Sequence, residues 1–180
     1  MRLSSSILAF SFALVAIATP LKRDATTVES DIASISSQVS TLDAAITAFP
    51  STGGSLVNAL AIHTDATNLD TTVKSATTDT TGSAAFTETE GNTILTAIQA
   101  LQPLITTTLS DIVAKKPAFD GLPIGGISAL VLQDLKSLST DTAAFETALI
   151  AKAPADLQAQ SQTVSDTINA AFTSAIAAYS

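Results

Sequence analysis

The 180 residues contain no cysteine and no tryptophan, and only one tyrosine and one histidine, Tyr179 and His63. Without cysteine there is no disulfide framework, no thiol nucleophile and no Cys-based zinc site. Aromatic residues make up only 4% of the chain, so the 46% hydrophobic share must build its core from Ala, Leu, Ile and Val, which helix packing tolerates best. Positive charge is scarce as well. Sixteen acidic residues against eight basic ones give a net charge of −8 and a pI near 4.3, which disfavours nucleic-acid phosphates and anionic membrane surfaces as partners. The length suits a single domain.

Part of the hydrophobicity belongs to the N-terminus. Arg2 precedes an apolar stretch over residues 7–18, and Ala16-Ile17-Ala18 fits the small-x-small rule of signal peptidase, so residues 1–18 are expected to be a signal peptide cut after Ala18. Those 12 apolar residues are too few to span a bilayer, and Pro20 ends the run. The dibasic pair Lys22-Arg23 closes a short pro-segment, residues 19–23, and leaves residues 24–180 as the mature domain. That domain keeps five lysines and no arginine against all 16 acids, a net charge of −11. Residues 170–180 are too small and polar for the hydrophobic tail of a lipid-anchor signal. Asn58, Asn68, Asn92 and Asn169 all lack a Ser or Thr two positions on, so any glycan would be O-linked.

Five segments have helical periodicity. In the first, Val28, Ile32, Ile35, Val39, Leu42, Ile46 and Phe49 follow one another in alternating steps of 4 and 3, with Thr26 and Glu29 spaced as a capping box. Residues 50–54 form a Pro- and Gly-rich stop. The second helix is expected from Ser55 to about Thr78, with Leu56, Leu60, His63, Ala66, Leu69, Val73 and Ala76 on its apolar stripe. After the breaker Gly82, Thr87 and Glu90 cap a third helix carrying Ile94, Leu95, Ile98, Leu101, Ile105, Leu109 and Ile112. Pro103 inside it predicts a kink near Leu101 or a break. Pro117, Gly121, Pro123, Gly125 and Gly126 form the next breaker. A fourth helix takes Ile127, Leu130, Val131, Leu135, Leu138, Phe145 and Leu149. Pro154 then falls in the first turn of a fifth, with Leu157, Val164, Ile168, Phe172, Ile176 and Tyr179. No segment alternates with period two, so the fold class is all-α: an antiparallel bundle of about five amphipathic helices. A helix of about 25 residues is roughly 37 Å long, enough to enclose an acyl chain lengthwise.

Catalytic constellations are not legible. Gly126-Ile127-Ser128-Ala129-Leu130 resembles a nucleophile elbow but has Leu where the second Gly belongs, and a loop rather than a strand precedes it. His63 and Asp65 are two apart on one helix and do not face each other. With one His and no Cys, a metal site would have to be made of carboxylates, and no run has the alternating acids of a calcium loop. Glu88 and Glu90 read as favourable charges at a helix N-terminus. The loop 121–126 lacks the spacing and the lysine of a phosphate loop. His63 reads either as a stripe-edge histidine with one nitrogen in water, or as a donor to a ligand head group or a sensor of acid pH.

Taken together, the Cys-free acidic chain of Ala, Ser and Thr, its leader and dibasic site, and its five amphipathic helices resemble the fungal hydrophobic surface binding protein A family, which includes the antigenic cell-wall galactomannoproteins. The resemblance runs over nearly the whole mature chain. It is carried by the stretch from Asp31-Ile32 to Asp43, by Leu56-Val57-Asn58-Ala59-Leu60, by Lys115-Lys116-Pro117-Ala118-Phe119 and by the closing Ala170-Ala171-Phe172. It implies a secreted helical bundle that adsorbs to hydrophobic surfaces, helps recruit hydrolases to them and, in the mannoprotein branch, binds fatty acids inside the bundle. This chain departs from some wall-attached members in lacking a long Ser/Thr-rich stalk and an anchor signal.

Two functions follow as expectations. The first is a non-catalytic secreted or wall-associated binder of fatty acids or similar single-chain lipids, whose site is lined by Ile35, Leu42, Leu60, Leu69, Ile98, Leu101, Ile105, Leu135, Leu138, Phe145, Ile168 and Phe172. Its head-group donor would be a Ser or Thr hydroxyl, Gln133 or a backbone amide, because the mature chain has no arginine. The second is an adsorption protein that turns an apolar face to wax or polymer and attracts a secreted hydrolase. A secreted esterase ranks below both. No metal, cofactor, nucleic acid or transmembrane span is expected in the mature chain.

Overall fold

The computed structural model describes residues 24–180, so the signal peptide and pro-segment, with Ala18, Lys22 and Arg23, lie outside the described residues. Within that range the chain forms five helices and no strand: α1 (Ala25–Ala48), α2 (Leu56–Gly82), α3 (Glu88–Asp120), α4 (Ile127–Lys152) and α5 (Gln158–Tyr179). Short connections make consecutive helices antiparallel. Around the bundle the order is α1, α2, α4, α5, α3 and back to α1, a closed ring in which each helix packs on two neighbours. Closure in that order lays α2 beside α4, α1 beside α3 and α3 beside α5 in parallel.

Local chemistry sets the helix ends. Asp24, not Thr26, caps α1: its Oδ1 accepts from Thr27 N at 3.0 Å, so the expected Thr26–Glu29 box lies inside the first turn. Asp is as good a cap as Thr, and capping at Asp24 rather than Thr26 gains two more residues of helix. The Thr87–Glu90 box on α3 forms as expected. α2 passes the expected end near Thr78 and runs to Gly82. Hydroxyls of Thr77, Thr78 and Thr81 bond back to carbonyls four residues earlier, and Thr80 is buried.

Pro103 does not break α3, which is continuous through both Pro103 and Pro117. Both prolines lie on the exposed face, where water can serve a carbonyl left without its donor. Pro154 lies outside α5: residues 154–157 make a separate turn, with Leu157 N donating to Pro154 O at 3.0 Å. Gly126, at φ 97°, starts α4 in the left-handed region that glycine enters without a steric penalty.

A clasp shuts each end of the ring. At the lower end Phe49 and Phe119, exposed by 1% and 2%, pack with ring centroids 4.6 Å apart. Gly54 lets the next loop pass over them, since a Cβ there would stand 2.4 Å from Phe49 Cζ. Lys115 Nζ donates to Thr47 O at 3.1 Å and to Phe49 O, placing a cation on the carbonyl end of α1. Lys116 pairs with Asp120 and lies 5.8 Å from the Tyr179 ring, while Tyr179 donates its hydroxyl to Ile112 O at 2.6 Å. The 115–119 stretch is thus the lower clasp. At the upper end Lys152 Nζ donates to Ser83 O at 2.7 Å and Phe86, absent from the expected stripes, is buried. Replacing Phe49→Ala is expected to destabilise the chain by about 3–5 kcal/mol, read from urea denaturation, because a fully buried ring cannot be replaced by collapse alone.

Candidate functional site

The ring encloses an aliphatic cavity of about 90 Å³ with walls from all five helices. Of the twelve side chains expected to line it, eleven do: Ile35 and Leu42 from α1, Leu69 from α2, Ile98, Leu101 and Ile105 from α3, Leu135, Leu138 and Phe145 from α4, and Ile168 and Phe172 from α5. Leu60 does not. It is 42% exposed, because α2 turns Ala59 and Ile62 inward over its first two turns. The half-buried His63 fixes that rotation by pairing with α4: His63 Nδ1 lies 2.8 Å and 3.0 Å from the two carboxylate oxygens of Asp134. The expected apolar stripe included His63 itself and so ran one position out of phase at this end.

From Ile98 to Ile112 the α3 wall extends about 21 Å at 1.5 Å per residue, a length that suits an extended acyl chain. The volume is tighter. At roughly 10–15 Å³ per water-sized group, 90 Å³ holds about six to nine such groups, so a long chain enters only if side chains or helices move apart.

Four of the 23 wall residues are polar, namely Thr108, Asp134, Thr142 and Glu146, and none is basic. Gln133, expected as a head-group donor, is exposed and faces away. Thr108 donates toward Asp43 Oδ1 and Leu104 O, both within 3.0 Å. Burial raises the Asp134 carboxyl, with His63 acting in the opposite direction. Glu146 is the most constrained. It is 6% exposed, and its Oε2 accepts from Ser165 Oγ at 2.7 Å and Asn169 Nδ2 at 2.9 Å, while Oε1 is buried with no hydrogen-bond partner. Burial pushes this carboxyl up to about 7 against the two lowering hydrogen bonds, and Asp166 adds to the rise. The sequence carried a faint signal for it: Glu146 sits beside Phe145 and three residues before Leu149 on the apolar side of α4, opposite Ser165 and Asn169, four apart on α5.

Ser128 and His63 do not come together as a nucleophile and base. Ser128 Oγ donates to Asp120 Oδ1 at 2.5 Å and His63 pairs with Asp134, so the serine and histidine bond to separate carboxylates. Among the described residues no group of three His, Asp or Glu could hold a metal ion, and no helix is long and apolar enough to cross a membrane.

A family model for hydrophobic surface binding protein A matches residues 25–151. The chain belongs to that family. Among solved structures, that of AfMp4p in complex with palmitic acid is similar at 34% identity and a TM-score of 0.81, over 87% of this chain and all (100%) of that one. Ligand binding domain 1 of the Penicillium marneffei MP1 protein, complexed with arachidonic acids, superposes at a TM-score of 0.79 and 21% identity over 87% of this chain and 99% of that one. Ligand binding domain 2 of the same protein, complexed with multiple arachidonic acids, does so at 0.79 and 19% over 89% and 98%. At those identities the two domains share the fold. A search among curated proteins finds no match.

The perturbed carboxyl has a stability consequence. Folded Glu146 holds its proton up to about 7, whereas unfolding returns it to 4.5, so between these values the unfolded chain binds fewer protons and stability falls as pH rises. Urea denaturation is expected to show the protein about 2–3 kcal/mol less stable at pH 8 than at pH 5, with most of that difference abolished in Glu146→Gln. Equal slopes in both proteins would contradict the assignment.

Proposed function

We propose that this chain is a secreted, non-catalytic carrier that takes a fatty acid or similar single-chain lipid into the cavity at the centre of its helical ring. On this reading residues 1–18 are the signal peptide, residues 19–23 the pro-segment, and the eleven wall residues named above contact the acyl chain. The observation that carries it is the wall itself: aliphatic side chains converge from all five helices over an acyl-chain length, in the fold of the palmitic acid complex of AfMp4p. Burial of about fifteen carbons contributes roughly 12 kcal/mol at ~0.8 kcal/mol each, and after an association cost of about 4 kcal/mol or more the affinity is micromolar or weaker.

Organic extraction of the purified protein and mass spectrometry are expected to recover single-chain lipids, and palmitate is expected to raise the melting temperature of delipidated protein. Ala66→Phe, which fills the cavity from α2, is expected to remove that shift while leaving the chain folded by circular dichroism. A lipid-free sample with no thermal response to palmitate would reject the carrier.

A second reading, adsorption to hydrophobic surfaces, is favoured by the lower end of the bundle. Val57 and Leu60 at the start of α2 and Ile124 in the α3–α4 loop are exposed by 75%, 42% and 54%. We infer that this end meets wax or polymer, with the acidic flanks left in water for a hydrolase partner. Replacing all three by Asp is expected to cut adsorption to a polyester film severalfold with palmitate binding unchanged. Unaltered adsorption would remove this end from consideration.

A further inference from the structure

The carrier reading leaves the ligand's polar end unplaced, because the cavity wall has no basic residue and two carboxyls. Those two carboxyls are not equivalent. Asp134 has both oxygens within 3.0 Å of His63 Nδ1, whereas Glu146 spends one oxygen on Ser165 and Asn169 and leaves Oε1 buried and unmatched. A buried acceptor without a donor costs about 1–3 kcal/mol, which a ligand hydroxyl recovers. Glu146 also stands at a junction. It belongs to the wall of the main cavity and to that of a second space of about 30 Å³ near the starts of α3 and α5, where Ser161 and Ser165 add hydroxyls. Thr142, one turn earlier on α4, faces the main cavity beside it.

We propose, on the basis of the carrier reading, that Glu146 is the head-group site of the cavity and that it selects lipids presenting a neutral hydroxyl, whether a long-chain alcohol or a fatty acid carrying its proton, with the tail running toward Ile46 and Ile112. A carboxylate ligand binds as an acid pair: one proton is shared between its head and Glu146 Oε1, and no second negative charge enters the apolar wall. An alcohol donates its O–H to the ionised Glu146 or accepts from the protonated one.

The charges around this site are few. Asp166 on α5 acts on Glu146 and favours its protonated form, Ser165 and Asn169 on α5 hold Oε2, and the positions that α1, α2 and α3 give to the cavity wall are apolar apart from Thr108. Glu146 loses its proton near pH 7 in the empty protein, while a free fatty acid is ionised well below that. Between about pH 5 and 7 the pair therefore forms without net proton uptake. Above pH 7 each binding event must take up one proton, and affinity falls about tenfold per pH unit.

The test measures binding of dodecanoic acid and 1-dodecanol, below their aggregation limits, to full-length mature protein and to Glu146→Gln from pH 5 to 9. For the wild type the dodecanoate affinity is expected to be level to about pH 7 and then to drop about a hundredfold by pH 9, with dodecanol changing less than about twofold. In Glu146→Gln the break near pH 7 disappears. A wild-type measurement covers the case of a misfolded variant: the carboxyl carbon-13 resonance of bound dodecanoic acid is expected to titrate well above the free acid. Superimposable dodecanoate profiles in the two proteins, or a bound carboxyl titrating where the free one does, overturn the head-group assignment while lipid binding stands. Failure of both lipids to bind at any pH overturns the carrier reading and this assignment with it, and failure of dodecanol alone overturns the head-group assignment.

Discussion

Closing five helices into a ring around one axis is the constraint from which the rest follows. Each helix offers a narrow stripe of Ile, Leu, Val and Ala to the centre, and a ring of five leaves more space on its axis than such side chains fill. With aromatics at 4% of the chain and no tryptophan, only Phe145 and Phe172 bring rings to the wall of the middle. Phe49, Phe119 and Tyr179 gather at one end and Phe86 lies at the other, while Phe145 and Phe172 stand in the cavity wall. The ends are stoppered and the shaft stays open. Side chains that line a cavity forgo dispersion contacts across it, which is the physical cost of a ring this wide.

The clasps explain how the ring tolerates that interior. Lys115 ties α3 to the carbonyl end of α1, Tyr179 ties α5 to α3, and Lys152 ties the end of α4 to the residue after α2. These bonds sit where helix ends have unpaired carbonyls, and they fix the order of helices without filling the axis. Along the shaft, the seam between α2 and α4 is polar, with His63–Asp134 near one end and Lys74 between Asp70 and Asp141 further up.

The stripes of α1, α3, α4 and α5 are readable because their period is regular, and most of their inward positions coincide with those expected from spacing; Leu130, which stays out of the core, and Leu157, which precedes α5, do not. At the start of α2 the expected stripe takes Leu60 and His63, whereas the structure turns Ala59 and Ile62 inward and holds His63 at the seam against Asp134, 71 residues away in the chain. Prolines were overweighted as breakers, since Pro103 and Pro117 point outward on a helix held by its neighbours on both sides. Glu146 is only faintly legible for a related reason. A glutamate on a helix reads as solvent-facing until the partner that receives it, Ser165 with Asn169, is known to lie across the seam.

The outer surface is built unusually. Many Ser and Thr hydroxyls on it bond back to their own helix four residues earlier, as at Thr64, Thr71, Thr93, Thr140, Thr163 and Thr173. Such groups are short, neutral and already satisfied. A face of this kind laid against a solid freezes few rotatable bonds and strips water from few ions, the two main penalties that keep lysine- and glutamate-covered helices in solution.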